Sequence, residues 1–126
     1  MAELLYRELT GAIIDAAIRI HRQLGPGLLE SAYEACLTHV LIQAGMQVER
    51  QKELPLLFEG IQLDCGYRVD MLVNNQVMLE LKSVNEVTPI HEAQLLTYLR
   101  LSGIRVGLLM NFNVLRMRDG IKRFAL

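Results

Sequence analysis

No tryptophan occurs among the 126 residues of this chain, cysteine occurs twice and proline three times. Cys36 and Cys65 stand far apart and outside any CxxC pattern. That excludes a disulfide framework and makes a reducing, cytoplasmic setting the expectation. The three histidines, His21, His39 and His91, have no zinc-ligand spacing with each other or with the cysteines. There is no glycine-rich phosphate loop and no nucleophile elbow. A strong charge of either sign is also missing, the formal net charge being −1. The surface as a whole is therefore no magnet for nucleic acid, and any such binding needs a local patch. Charges interrupt every apolar run before it reaches the length of a membrane span, so no membrane partner is expected. The opening "MAELLYRELTG" has no basic segment followed by an apolar stretch, and no signal peptide is expected.

What is present is a large apolar fraction, 52%, against 21% charged residues. This is enough for a packed core, and the length suits one domain over residues 1–126. So high an apolar content also leaves room for a homodimer interface.

Helical spacing of Ile13, Ala16, Ala17, Ile20 and Leu24 predicts a helix over 10–24, with Thr10 as its N-cap and Gly25-Pro26 as its stop. A second helix is expected over 28–44. Residues 46–58 read as extended, with Pro55 forcing an edge or a break. Residues 61–73 and 76–84 read as strands around Asn74-Asn75, a hairpin signal. Thr88 and Pro89 open a third helix that Gly103 closes, 104–112 is a buried strand, and Asp119-Gly120 suggests a small C-terminal hairpin. The order predicts an α/β sandwich with a mixed sheet rather than a repeated βαβ array.

The unusual stretch is "VMLELKSV", 77–84, which is apolar but carries Glu80 and Lys82 on one strand face. Asp70 lies ten residues earlier. A two-residue turn at Asn74-Asn75 would pair Asp70 with Leu79 and put the two carboxylates on opposite faces. A three-residue turn, Asn74 to Gln76, would pair Asp70 with Glu80 and Arg68 with Lys82. Two carboxylates together are hard oxygen donors that suit Mg²⁺ or Mn²⁺. An adjacent ammonium can orient a water or steady developing negative charge. A solvated sheet face with an exposed ion pair would also explain the pattern. On the third helix His91, Gln94 and Tyr98 share a face, and on the second Glu30, Tyr33 and Glu34 do. Arg116, Arg118, Lys122 and Arg123 gather near the C-terminus, as a phosphate patch or as a soluble edge.

The segment "GLLESAYE" (27–34) carries the pattern GxxExxY through Gly27, Glu30 and Tyr33. With "YRVDMLV", "LELKSV", "HEAQLLTYLRLSG", "GLLMNF" and "DGIKRF" it makes the chain resemble the GxxExxY family, itself similar to PD-(D/E)XK nucleases, from about Leu9 to Phe124. The resemblance implies a restriction-endonuclease-like αβββαβ core and Mg²⁺-dependent hydrolysis of phosphodiester bonds in DNA or RNA. It implies Asp70 and Glu80 as metal ligands, and Lys82, Glu34 and Gln94 as catalytic residues, Glu30 being the weaker choice for the helical acid. Gln94 and Tyr98 match the QxxxY pattern of the exonuclease-like branch. His91, Tyr98 and Arg68 are the candidates for contacts with nucleic acid. Val69 stands where the superfamily has its proline. A catalytically inactive module for nucleic-acid or protein interaction is the alternative, and a purely structural dimerisation domain a further one.

Overall fold

The computed structural model describes residues 5–126. Helix α1 (Arg7–Leu24) and helix α2 (Glu30–Gln43) come first, then β1 (Val48–Glu53) and a short ribbon of β2 (Leu56–Phe58) and β3 (Ile61–Leu63). Strands β4 (Arg68–Val73) and β5 (Val77–Lys82), helix α3 (Pro89–Ser102), and strands β6 (Val106–Asn111) and β7 (Ile121–Ala125) complete the chain. The main sheet has the order β1-β4-β5-β6-β7, so β5 is its centre. β5 and β6 run parallel, joined by α3, and the other neighbours are antiparallel. From α2 onward the elements of this sheet follow as αβββαβ, with the β2–β3 ribbon inserted before β4.

Alternation along the central strands decides which helix covers which face. Val77, Leu79 and Leu81 of β5, with Val106, Leu108 and Met110 of β6, pack beneath α1 and α2. Met78 and Leu109, of opposite parity, pack against Leu95, Tyr98 and Leu99 of α3. Because both faces are covered, β5 and β6 read as continuous apolar runs. Gly107 faces the Leu95 side chain, and a Cβ there would stand 3.0 Å from Leu95 Cδ1. The missing side chain lets α3 sit close to the sheet.

The turn between β4 and β5 takes the three-residue form. Val73 pairs with Val77, Leu72 with Met78 and Met71 with Leu79. Asn74 and Asn75 both adopt left-handed backbone, with φ of 52° and 54°, a conformation Asn tolerates better than most residues. The Asn74 Oδ1 accepts from the Gln47 N–H at 2.8 Å, which ties the turn to the start of β1.

Three expectations need correction. Helix α1 begins at Arg7 with Tyr6 before it, and Thr10 lies inside the helix, donating its hydroxyl to the Arg7 carbonyl. The single strand expected over 61–73 is two strands in different sheets, separated at 64–67, where Gly66 has φ of 75°. Asp119-Gly120 is not a hairpin turn, since Met117–Gly120 form a short 3₁₀ helix. The C-terminal hairpin is instead made by β7 pairing back on β6. Gly120 is required there because a Cβ would run into the Asn111 carbonyl oxygen. Pro55 does break the chain, between β1 and β2, and Thr88 does cap α3. No helix among the described residues is long and apolar enough to cross a membrane.

The GxxExxY segment has a clear structural task. Tyr33 is fully buried, stacked on Phe112 at 4.4 Å with 11° between the rings. Its hydroxyl donates to the Gly25 carbonyl at 2.6 Å and accepts from the Leu28 N–H at 3.2 Å. The tyrosine thus closes the Gly25–Leu28 turn in which Gly27 has φ of 100°. Ser83 adds a bond from its Oγ to the Leu28 carbonyl, 2.6 Å, so the start of α2 is fastened to the end of β5. Tyr33→Phe keeps the stack and removes both turn bonds. It should lower stability by about 1–3 kcal/mol, at roughly 0.5–1.5 kcal/mol for each of the two bonds lost, read as a lower urea midpoint.

Candidate active site

The β4–β5 ladder is regular from the turn to Met71–Leu79 and goes no further. The next residues in register are Asp70 and Glu80, and their side chains replace the backbone ladder. Glu80 Oε1 accepts from the Asp70 N–H at 3.3 Å, and Asp70 Oδ2 accepts from the Leu81 N–H at 2.8 Å. Each carboxylate is therefore held by the neighbouring strand, and the two lie against each other. β1 is irregular at the same level. Gln51, which stands opposite Asp70, has φ of 49°. Its Nε2 donates to Asp70 Oδ1 at 3.4 Å and to Glu34 Oε1 at 2.6 Å.

Glu34 comes from the second turn of α2 and is 8% exposed. Arg50 holds its other oxygen, with Nε and Nη2 each 3.1 Å from Oε2. Glu34, Gln51, Asp70 and Glu80 thus form a continuous polar chain from helix to central strand. The start of α2 is fixed by Tyr33 and Ser83, and this sets where Glu34 arrives. Glu30 is exposed on the first turn of α2 and makes no contact with this chain.

Lys82 follows Glu80 at strand spacing, and its charge acts to lower the pKa of Glu80. No ion pair or hydrogen bond engages its ammonium among the described residues. Its backbone is anchored, the carbonyl accepting from the Phe112 N–H at 2.9 Å. The Asn111 side chain clamps Val84 through both its N–H and its carbonyl, holding the strand ends together.

The third helix is less directly engaged. Gln94 Nε2 donates to the Tyr98 hydroxyl at 2.8 Å, and Tyr98 is buried while Gln94 is exposed. Burial raises the Tyr98 pKa, and the hydrogen bond from Gln94 acts against that rise. Tyr67 lies beside Tyr98, ring centres 6.0 Å apart. His91 is occupied locally, its Nδ1 accepting from the Thr88 N–H at 3.1 Å in a capping box. Arg68 does not face Lys82 as the register argument expects. It turns to the edge strand and pairs with Glu53 at 3.2 Å, because the ladder that would align it with Lys82 has already opened.

Sequence reasoning passes over Arg50 and Gln51. They sit in the charged edge strand "VERQKE", which reads as a solvated edge. Only the β1–β4 register, pairing Arg50 with Met71 and Lys52 with Val69, reveals that Gln51 stands opposite Asp70.

The electrostatics are dominated by Glu80. Its pKa is pushed from 4.5 to about 9, first by burial and then by the charge of Asp70. Near neutrality the Glu80 carboxyl therefore holds a proton. A divalent cation would offset that shift by favouring the charged carboxylate, and the donor set fits one: oxygen atoms only, with two carboxylates in contact. Among the described residues no group of three or more His, Cys, Asp or Glu side chains is arranged around a common point. Two carboxylates suit Mg²⁺, which keeps several of its waters.

The sign of the pH dependence follows. Glu80 titrates at about 9 in the fold and near 4.5 when unfolded, so the native state carries the extra proton between those values. Stability from this group is greatest below the lower value and falls as pH rises toward the upper one. In chelator, Glu80→Gln should flatten this decline and be more stable than wild type at alkaline pH. Urea midpoints at about pH 5 and about pH 8.5 check it, and a wild-type midpoint that rises over this range relative to the variant would contradict it.

Comparison with known proteins gave no match among curated proteins and none among solved structures. A family model described as the PD-(D/E)XK nuclease superfamily does match, over residues 7–124. It spans every element of the main sheet and all three helices, and the mixed sheet with its flanking helices is a restriction-endonuclease-like α/β fold. With almost the whole chain covered by that model, the protein belongs to the PD-(D/E)XK nuclease superfamily.

Proposed function

We propose that the protein is a metal-dependent nuclease that hydrolyses phosphodiester bonds of nucleic acid. The observation that carries this reading is the Asp70–Glu80 contact, made where β4 and β5 part, two residues before Lys82, whose ammonium is unpaired among the described residues. Mere solvation of a charged strand face would not bury Glu80 to 6% exposure against a second carboxylate. Family membership supports the reaction class.

The roles follow from what each side chain is free to do. Asp70 and Glu80 would hold Mg²⁺ or Mn²⁺, Glu80 giving up its proton on binding. When bound, the cation supplies Lewis acidity toward the phosphoryl oxygens and makes water a better nucleophile. Lys82 is a donor without a partner among the described residues, able to orient the attacking water or to balance charge that develops at phosphorus. Glu34 acts through Gln51, which it holds against Asp70, and is better placed to position that carboxylate than to touch substrate. Gln94 and Tyr98 stand at the α3 wall of the site, and the exposed amide is able to contact a phosphate. His91 and Arg68 have local partners, so binding of nucleic acid through them would exchange one contact for another.

Lys82→Ala leaves both carboxylates in place and separates metal binding from chemistry. Cleavage of labelled DNA and RNA in Mg²⁺ or Mn²⁺ should fall by roughly a hundredfold or more, the scale for losing one stabilising donor, while Mn²⁺ still binds. Wild-type cleavage that survives chelator, or that is unchanged in Lys82→Ala, would reject the proposal. Failure to cleave any substrate would favour an inactive module that keeps the fold.

A further inference from the structure

A second cationic feature lies away from the carboxylate pair. The last turns of α1 and the loop after β6 enclose a cleft of about 410 Å³, lined by Ile18, His21, Arg22, Arg116, Met117 and Arg118, with Leu115 at its lip. Arg22, Arg116 and Arg118 are exposed, and their guanidinium groups have no hydrogen-bond or ion-pair partner among the described residues. Among the described residues no acidic side chain lines the cleft. Asp119, the next residue, belongs instead to a separate cleft that includes Glu92 and Lys122, and Asp15, one turn before Ile18 on α1, is not among the lining residues. Three like charges from two elements line one hollow, with no carboxylate among its described lining residues.

The hollow has a fixed wall. His21 is buried, and its Nε2–H donates to the Val114 carbonyl at 2.8 Å, which locks the loop onto α1. Met117 is buried beneath the loop. The arginines therefore project from an ordered frame. Leu115, 92% exposed at the rim, is not explained by packing.

The cleft stands at the same end of the sheet as Lys82. β6 runs parallel to β5 with Lys82 opposite Asn111, and the loop leaves the sheet at Phe112, bonded to the Lys82 carbonyl.

We propose that this cleft seats a phosphate of the nucleic-acid backbone outside the reacting phosphodiester, and so fixes the path of the bound strand. Guanidinium forks match phosphate oxygens in geometry and stay charged at any working pH. The inference rests on nucleic acid being the partner, as in the proposed function, but it does not require turnover.

The test is binding of labelled duplex and single-stranded DNA by the wild-type protein in chelator, by fluorescence anisotropy over a range of salt. Arg116→Ala/Arg118→Ala should weaken binding about tenfold or more and lower the slope of log K against log salt by about 1–2, since each duplex phosphate that is no longer neutralised takes about 0.9 from it. Arg22→Gln, on the other wall, should give a smaller loss in the same direction without disturbing the loop. Arg100→Ala/Arg105→Ala removes the same charge elsewhere and should leave both quantities close to wild type. Unchanged binding in both cleft variants, an equal loss in the control, or no binding by wild type would overturn the proposal. Binding that depends on the cleft without any cleavage would sink the nuclease reading and leave the cleft standing. Cleavage that is indifferent to the cleft would do the reverse.

Discussion

Two carboxylates pressed together at the point where two strands separate are the constraint around which this molecule is arranged. Asp70 and Glu80 take over the work of the β4–β5 ladder, each accepting a backbone N–H from the other strand. That arrangement satisfies the opened backbone but brings like charges into a buried setting. The Glu80 carboxyl answers by keeping its proton to about pH 9. A site built this way is less stable as an apo protein than a neutral pair would make it, and that cost is characteristic of positions kept for function rather than for folding.

The rest of the fold serves to hold that point. Tyr33 closes the turn before α2, Ser83 ties the same turn to the end of β5, and Asn111 clamps Val84. Together they fix the helix that brings Glu34 to Gln51, and Gln51 to Asp70. The GxxExxY pattern is thus mostly architectural. Its glycine supplies a positive φ, and its tyrosine supplies the hydroxyl that the turn needs. The glutamate of the pattern, Glu30, remains at the surface, while Glu34, one turn further on, joins the polar chain. On α3, the Gln94 and Tyr98 side chains bond to each other.

Much of this is readable from the residues alone. The two-residue period of 77–82 and the apolar run at 104–112 locate the central strands, and Thr88-Pro89 locates the start of α3. Placing Asp70 beside Glu80 demands a three-residue turn at Asn74 or a bulge, and the register of Val73 on Val77 shows the three-residue turn. What escapes the sequence depends on long-range contacts. Nothing in "VERQKE" marks Gln51 as a bridge, because its role requires the left-handed kink and the facing strand. Arg68 departs from its expected place because a ladder cannot be extrapolated beyond the point at which the carboxylates interrupt it. The strand expected over 61–73 fails for a related reason: alternation continues through a change of sheet, and only Gly66 marks the corner. Thr10 looks like a cap because its residue type favours one, yet its hydroxyl serves the helix interior instead.

The central claim is that the Asp70–Glu80 pair holds a proton that a divalent cation displaces. Calorimetric titration of Mn²⁺ at about pH 7.5, repeated in buffers of different ionisation enthalpy, counts the protons released on binding. The expected result is saturable binding with release of about one proton, reduced in Glu80→Gln. Binding with no proton release, or no binding at all, would contradict it.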